Sequence, residues 1–209
     1  MQTYKQEPVI KKALGNEWEK LAPVVKRHYD LSPESQDCLT LVGIMNEVYH
    51  SPAAKLFVLV GRLFGALVSQ QGVEIATVVR NLAQTREENM LMWHRTLHFH
   101  DKEPVIFESH MVTKNPHEVI EFVKFGMGIR MKLSVIDQAL VYRSINYLWN
   151  IAGFSIPLPN WLLLGEAVII ESACADDKVH LDFKIRHPLL GTTFRYSGEF
   201  SITERVCDG

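Results

Sequence analysis

Val179-His-Leu-Asp-Phe-Lys-Ile-Arg186 alternates apolar and polar side chains without a break. In an extended chain successive side chains point to opposite faces, so Val179, Leu181, Phe183 and Ile185 need a dry surface. His180, Asp182, Lys184 and Arg186 need a wet one. A strand with that pattern belongs in an antiparallel sheet with one buried face. The same period of two recurs over Val73–Leu82, Asn89–His100, Val105–Thr113, Ile129–Ile136, Ala139–Trp149, Glu166–Ala173 and Phe194–Thr203, and Leu39–Tyr49 also reads as a strand. Asp101-Lys-Glu103 and Asp176-Asp177 supply turns between neighbours. A sheet of about eight or nine strands tends to curl or close. The expected fold is therefore α+β: a large curved, mostly antiparallel β-sheet or partly closed β-barrel, covered by N-terminal helices. Residues 1–209 are expected to form a single domain.

The helical signals lie early. Asn16–Tyr29 places Trp18, Leu21, Val25 and His28 on one face, with Asn16 as an N-cap and Pro23 confined to the first turns or kinking the helix. Ala53–Val68 is apolar at helical spacing, but it is shorter than the roughly 18 to 20 residues of a membrane span and carries Lys55 and Arg62. A buried helix is expected there. Between strands, Ile156-Pro-Leu-Pro-Asn-Trp-Leu-Leu-Leu-Gly165 combines an extended, proline-fixed start with Trp161 and three leucines. It is expected to fold over an apolar opening, with Asn160 capping one helical turn.

The charge balance narrows the partners. With 22 basic and 24 acidic side chains, a formal charge of −2 and no block of like charge, the chain has no electrostatic footprint for nucleic acid. Cys38, Cys174 and Cys207 are odd in number and far apart, which suits reduced thiols and a cytoplasmic protein; none has a basic neighbour that would activate it. The first 18 residues lack the apolar run of a secretory leader.

Candidate chemistry centres on Met90–His100. As a strand it puts Trp93, Arg95, Leu97 and Phe99 on one face and His94, His98 and His100 on the other. His98 and His100 would stand about 7 Å apart, close enough to share a metal ion if His110 or Glu108 completed the set. The neighbouring Thr96 and the Asp101 turn favour a solvated face instead, so no metal is expected. Arg95 shares the apolar face, where a guanidinium must be paired. Glu166, Glu171 and Glu108 are candidate partners, and Arg95 is a candidate anchor for the polar end of a ligand. On Ala139–Tyr147, either Tyr142, Ser144 and Asn146 or Arg143 and Tyr147 line a pocket. His187, held extended by Pro188, reads as a turn histidine with some acid/base capacity. No nucleophile elbow, phosphate-binding loop or dinucleotide fingerprint is present, so no cofactor is expected.

Several segments in order resemble a bacterial family known as domain of unknown function 4166: Arg27-His-Tyr29, Gly43-Ile-Met45, Trp93-His-Arg95, Phe125-Gly-Met-Gly-Ile-Arg130, Leu158-Pro-Asn-Trp161, His187-Pro-Leu-Leu-Gly191 and Tyr196-Ser-Gly198. They run across most of the chain. Members of that family occur alone, and similar domains are fused to nucleotide-binding oxidoreductase-like or membrane domains. The resemblance implies a modular cytoplasmic domain and carries no established catalytic residues.

The expected function is binding of a small apolar ligand, lipid-like, terpenoid or polyketide, in a barrel or curved-sheet cavity. Arg95 would hold its polar end, with Trp93, Tyr142, Tyr147, Glu166 and Trp161 as lining. A second expectation is a cofactor-independent isomerase or cyclase using Glu166, Glu171 or His187 with Arg95. A third, resting on the family fusions alone, is a non-catalytic partner domain of an oxidoreductase.

Overall fold

The computed structural model describes residues 7–32, 38–55, 57, 68–85, 89–151 and 154–204. Two short helices come first, α1 (Val9–Leu14) and α2 (Pro23–Tyr29), separated by a 3-10 segment over Gly15–Lys20. Eleven strands follow: β1 (Cys38–His50), β2 (Gly72–Thr85), β3 (Asn89–His98), β4 (Val105–Asn115), β5 (Glu118–Phe122), β6 (Met127–Ile136), β7 (Ala139–Ile151), β8 (Phe154–Leu158), β9 (Glu166–Ala175), β10 (Lys178–His187) and β11 (Gly191–Glu204). The sheet order is β6-β5-β4-β3-β2-β1-β11-β10-β9-β7-β8, and β6 also pairs with β7. That last pairing closes a ten-stranded antiparallel barrel, with β8 as an outer strand. The fold is α+β with a barrel, as the alternating segments imply.

Closure rests on β7. Its first half pairs with β9 (Leu140 to Glu171 through Arg143 to Val168), its second half with β8, and its other edge with β6 throughout. The β6–β7 turn is Asp137-Gln138, both at positive φ (49° and 64°), the twist a two-residue hairpin needs. Interior and exterior then alternate along the strands: Val179, Leu181, Phe183 and Ile185 of β10 point into the barrel, and so do Leu91, Trp93, Arg95 and Leu97 of β3. A bulge in the β6–β7 ladder skips Ile145, since Met131 faces Ser144 and Arg130 faces Asn146. This resets the parity of β7, and Tyr142 and Tyr147 both face inward although they are an odd number of residues apart.

The N-terminal segment closes one end. Val9, Ile10, Leu14, Trp18, Val25 and Tyr29 are buried, and the backbone is bonded to the turns at that end: His117 N–H to Ala13 O (2.7 Å) and Ala22 N–H to Gln138 O (2.9 Å). The single helix expected over Asn16–Tyr29 is instead split. Leu21 and Ala22 are extended, because a residue before proline avoids the helical region, and Pro23 opens α2 at its first position. Asn16 lies inside the 3-10 segment and does not cap.

Other expectations need correcting. Strands β5 and β8 were not anticipated, being five residues each, too short to display a period. Most of the helix expected over Ala53–Val68 lies outside the described residues. Within Ile156–Gly165, Leu163 and Leu164 do cover the barrel interior, but Trp161 is 64% exposed. Gly165, at φ 107°, lets this segment lie against the backbone of Arg186 and His187. Cys38 is disulfide-bonded, so the expectation of reduced thiols fails at this residue. No helix among the described residues is long and apolar enough to cross a membrane.

Gly43 shows how closely the strands approach. A Cβ there would overlap the Glu199 carbonyl oxygen and come 2.7 Å from Phe200 Cδ1, across the β1–β11 pair. Gly43→Ala is expected to destabilise the protein by about 2–4 kcal/mol, lowering the melting temperature by roughly 5–15 °C. Thermal unfolding followed by circular dichroism checks this.

Candidate functional site

The barrel encloses a cavity of about 490 Å³. Its upper part, away from the helices, is apolar: Phe107, Met127, Trp149, Leu158, Leu163 and Phe194 are among the lining. Polar side chains gather in the middle and on the helix-plugged floor, in two clusters.

The first cluster is built on Arg95. β3 points it inward between Trp93 and Leu97, and its guanidinium lies 4.9 Å from the Trp93 ring centre and 5.0 Å from that of Phe107. Nη1 donates to Ser109 Oγ (2.9 Å) and Nη2 to Glu121 Oε1 (3.4 Å), while the Ser109 hydroxyl donates to the same Glu121 oxygen (2.7 Å). An unpaired buried charge costs several kcal/mol, so the pair is obligatory here. The partner is Glu121, not Glu166, Glu171 or Glu108. Glu121 was missed because its strand, β5, was missed, although Val119 and Glu121 share the inward parity of that short segment. Glu108 lies on the outer face with His94 (2.9 Å).

The second cluster is built on Glu171, 2% exposed on β9. His28 Nδ1 donates to Glu171 Oε1, and the Tyr29 hydroxyl donates to Oε2 (2.6 Å). Asn81 of β2 donates from Nδ2 to His28 Nε2 (2.6 Å). Thus the last two residues of α2 are fastened to opposite walls of the barrel through one carboxylate and one amide. Tyr142, 2% exposed, lines the cavity beside Tyr29, and the two hydroxyls lie within interaction range of one another. His28 had one sequence signal, its place on the apolar face with Trp18, Leu21 and Val25; Asn81, buried on β2, had none.

Burial governs the phenols. It raises Tyr29 and Tyr142 well above the ordinary tyrosine value, with the Glu171 carboxylate adding to both. Burial also raises Tyr147, whose hydroxyl donates to Gly165 O (3.2 Å), and pushes Tyr196 up to about 12.

Of the residues singled out from the sequence, Trp93, Arg95, Tyr142, Tyr147 and Glu171 all line the cavity. Glu166, Trp161 and His187 do not. Glu166 and Trp161 line an outer groove with Asn146 and Arg186, because the first residue of β9 points away from the interior. His187, the last residue of β10, holds the turn that follows it: its Nε2 donates to Trp161 O (2.7 Å) and its Nδ1 accepts from Leu189 N (3.1 Å) and Leu190 N (3.2 Å). His98 and His100 are exposed, and His100 pairs with Asp101 at 3.0 Å. Among the described residues no group of three or more His, Cys, Asp or Glu side chains is placed to hold a metal ion.

Two outcomes follow. Arg95→Met and Glu121→Leu are each expected to cost about 1–3 kcal/mol in urea unfolding, since each strands the other's charge, and the double variant to cost less than their sum by about 1–2 kcal/mol. Tyr29, Tyr142, Tyr147 and Tyr196, four of six tyrosines, should stay protonated in the folded protein at a pH where unfolded tyrosine, near pH 10, ionises. Raised native values stabilise the fold fully below about pH 10, and that contribution is lost as pH climbs toward and past 12. Phenolate absorbance against pH, with and without denaturant, checks it; four native midpoints near 10 would contradict it.

No curated protein and no solved structure matches the chain. A family model does match, over residues 21–200, which spans α2 and most of the barrel. The chain belongs to the family described as Domain of unknown function (DUF4166).

Proposed function

We propose that the protein binds a small apolar molecule, lipid-like, terpenoid or polyketide, inside the barrel. The observation that carries this reading is the interior: a cavity of about 490 Å³, within the range of small-molecule sites, with an apolar upper part and polar groups confined to the middle and floor. Such a cavity suits an elongated molecule with one polar end, seated with that end toward α2. Arg95 helps to shape the site, but its charge is already taken by Glu121.

A second reading, a cofactor-independent isomerase or cyclase, is favoured by the Glu171 cluster. A buried carboxylate joined to Tyr29 and His28, with the Tyr142 phenol beside them, supplies groups that could move a proton on a bound substrate. Both readings share the cavity and differ in whether the occupant leaves altered. We keep a cytoplasmic location as a proposal too; the Cys38 disulfide is the observation against it.

Native mass spectrometry of gently purified protein, followed by denaturing extraction, tests the first reading. A co-purifying apolar molecule is the expected result. Protein at its calculated mass that also fails to enhance the fluorescence of Nile red would sink it. Incubating an extracted molecule with fresh protein separates the second reading: conversion abolished by Glu171→Gln supports catalysis, and unchanged recovery supports binding alone.

A further inference from the structure

We infer that the ligand carries an uncharged oxygen acceptor part-way along its length, and that the Tyr196 hydroxyl of β11 donates a hydrogen bond to it from the barrel wall. This rests on the binding reading above and adds a polar contact separate from the end that faces α2.

Tyr196 is braced by its ring and not by its hydroxyl. The ring lies 4.8 Å from that of Phe183 and 5.9 Å from that of Phe194, edge-on to both, and Phe183 and Phe194 meet edge-on in turn. A third phenylalanine would make the same contacts without taking a hydroxyl out of water. That hydroxyl has no hydrogen bond among the described residues, and its oxygen, unlike that of Tyr142, is not sealed off by its neighbours. The side chain is partly buried and lines the cavity, so the surface left open faces the space a ligand would fill. A donor in that position is satisfied when an acceptor arrives with the ligand.

The other polar groups of the lining already have work within the protein. Tyr29 donates to Glu171, Tyr142 lies against Tyr29, and Tyr147 donates to Gly165 O. His28 is bonded through both ring nitrogens, and the Trp149 indole donates to Phe125 O. Arg95 keeps N–H groups beyond those given to Ser109 and Glu121, and the Trp93 indole N–H makes no bond among the described residues. Both side chains are nonetheless accounted for, the guanidinium by its pairing with Glu121 and the indole as a ring beside that guanidinium. The Tyr196 hydroxyl has no such role.

Position and charge follow from the surroundings. β11 turns Phe194, Tyr196 and Phe200 inward, Phe194 in the apolar upper part and Phe200 further toward the helices. A molecule that fills the cavity therefore has apolar contacts on both sides of the phenol, and the oxygen that meets it lies along the molecule. Burial raises the phenol, the Arg95 guanidinium lowers it, and the carboxylates of Glu121 and Glu171 raise it again, to about 12. It is a protonated donor at neutral pH. An anion on it would meet two carboxylates and a guanidinium that is already paired. A cation would find those carboxylates holding Arg95, Ser109, His28 and Tyr29. A neutral donor is matched to a neutral acceptor.

Competition against bound Nile red tests the inference, using dodecane, the isomers pentyl hexyl ketone and methyl decyl ketone, laurate and laurylamine. Pentyl hexyl ketone, with its oxygen near mid-chain, is expected to displace the dye at a concentration about threefold or more below that of methyl decyl ketone. In Tyr196→Phe its competing concentration should rise about five- to tenfold while that of dodecane stays within about twofold. A ketone affinity that survives Tyr196→Phe overturns the inference and assigns the donor to Arg95 or Trp93. Methyl decyl ketone as the better isomer overturns the placement, and laurate or laurylamine binding more tightly than either ketone overturns the uncharged class; apolar binding stands in all three cases. Failure of every competitor, dodecane included, overturns apolar binding itself. A second measurement needs no variant: the infrared carbonyl stretch of bound pentyl hexyl ketone should lie below its frequency in hexane, and an unshifted band overturns the assignment. Tyr196→Phe should also unfold at or slightly above the parent temperature; a marked fall would mean that the hydroxyl is bonded within the protein, against the inference.

Discussion

Ring closure is the constraint on which the rest of this structure depends. A sheet of this size with two free edges would expose rows of unpaired backbone donors and acceptors, and joining β6 to β7 closes the ten-stranded ring, leaving the five-residue outer strand β8 with an unpaired edge among the described strands. Closure also fixes which side chains go inside, since every strand must turn alternate residues toward the axis. The barrel interior is therefore made from side chains of ten strands. What remains unfilled at its centre is the cavity.

Placing charge inside such an interior is tolerable only with compensation, and the two clusters achieve it differently. Arg95 and Glu121 compensate one another across β3, β4 and β5, with Ser109 between them and two aromatic rings beside the guanidinium. Contacts of that kind are worth about 0.5–2 kcal/mol, too little to hold an unpaired guanidinium but useful beside a paired one. Glu171 relies on hydrogen bonds to groups from another part of the fold, the end of α2. The first cluster belongs to neighbouring strands; the second spans more than 140 positions of sequence.

The difference explains what could be read from the sequence. Alternation is local, so the inward face of β3, with Trp93 and Arg95, and that of β10 were legible. The parity of β7 was not, because a one-residue bulge at Ile145 leaves no local mark; either Tyr142 or Tyr147 could be placed inside by period alone, and the fold takes both. Glu121 hid in a strand too short to show a period. Glu171 was named as a possible acid, but its bonds to His28, Tyr29 and Asn81 depend on the docking of α2, which no pattern of residues encodes. Trp161 is expected as lining from its apolar segment, yet Leu163 and Leu164 take that place and Trp161 stays exposed.

The attachment of α2 through Glu171 ties the plug of the barrel to the wall of its cavity. On the proposed binding reading, an occupant packed against His28, Tyr29 and Glu171 would favour the docked helix by the same free energy with which the docked helix favours the occupant. On that reading, filling the barrel would tighten its own stopper and loosening the stopper would empty it, so that container and closure would be thermodynamically a single part.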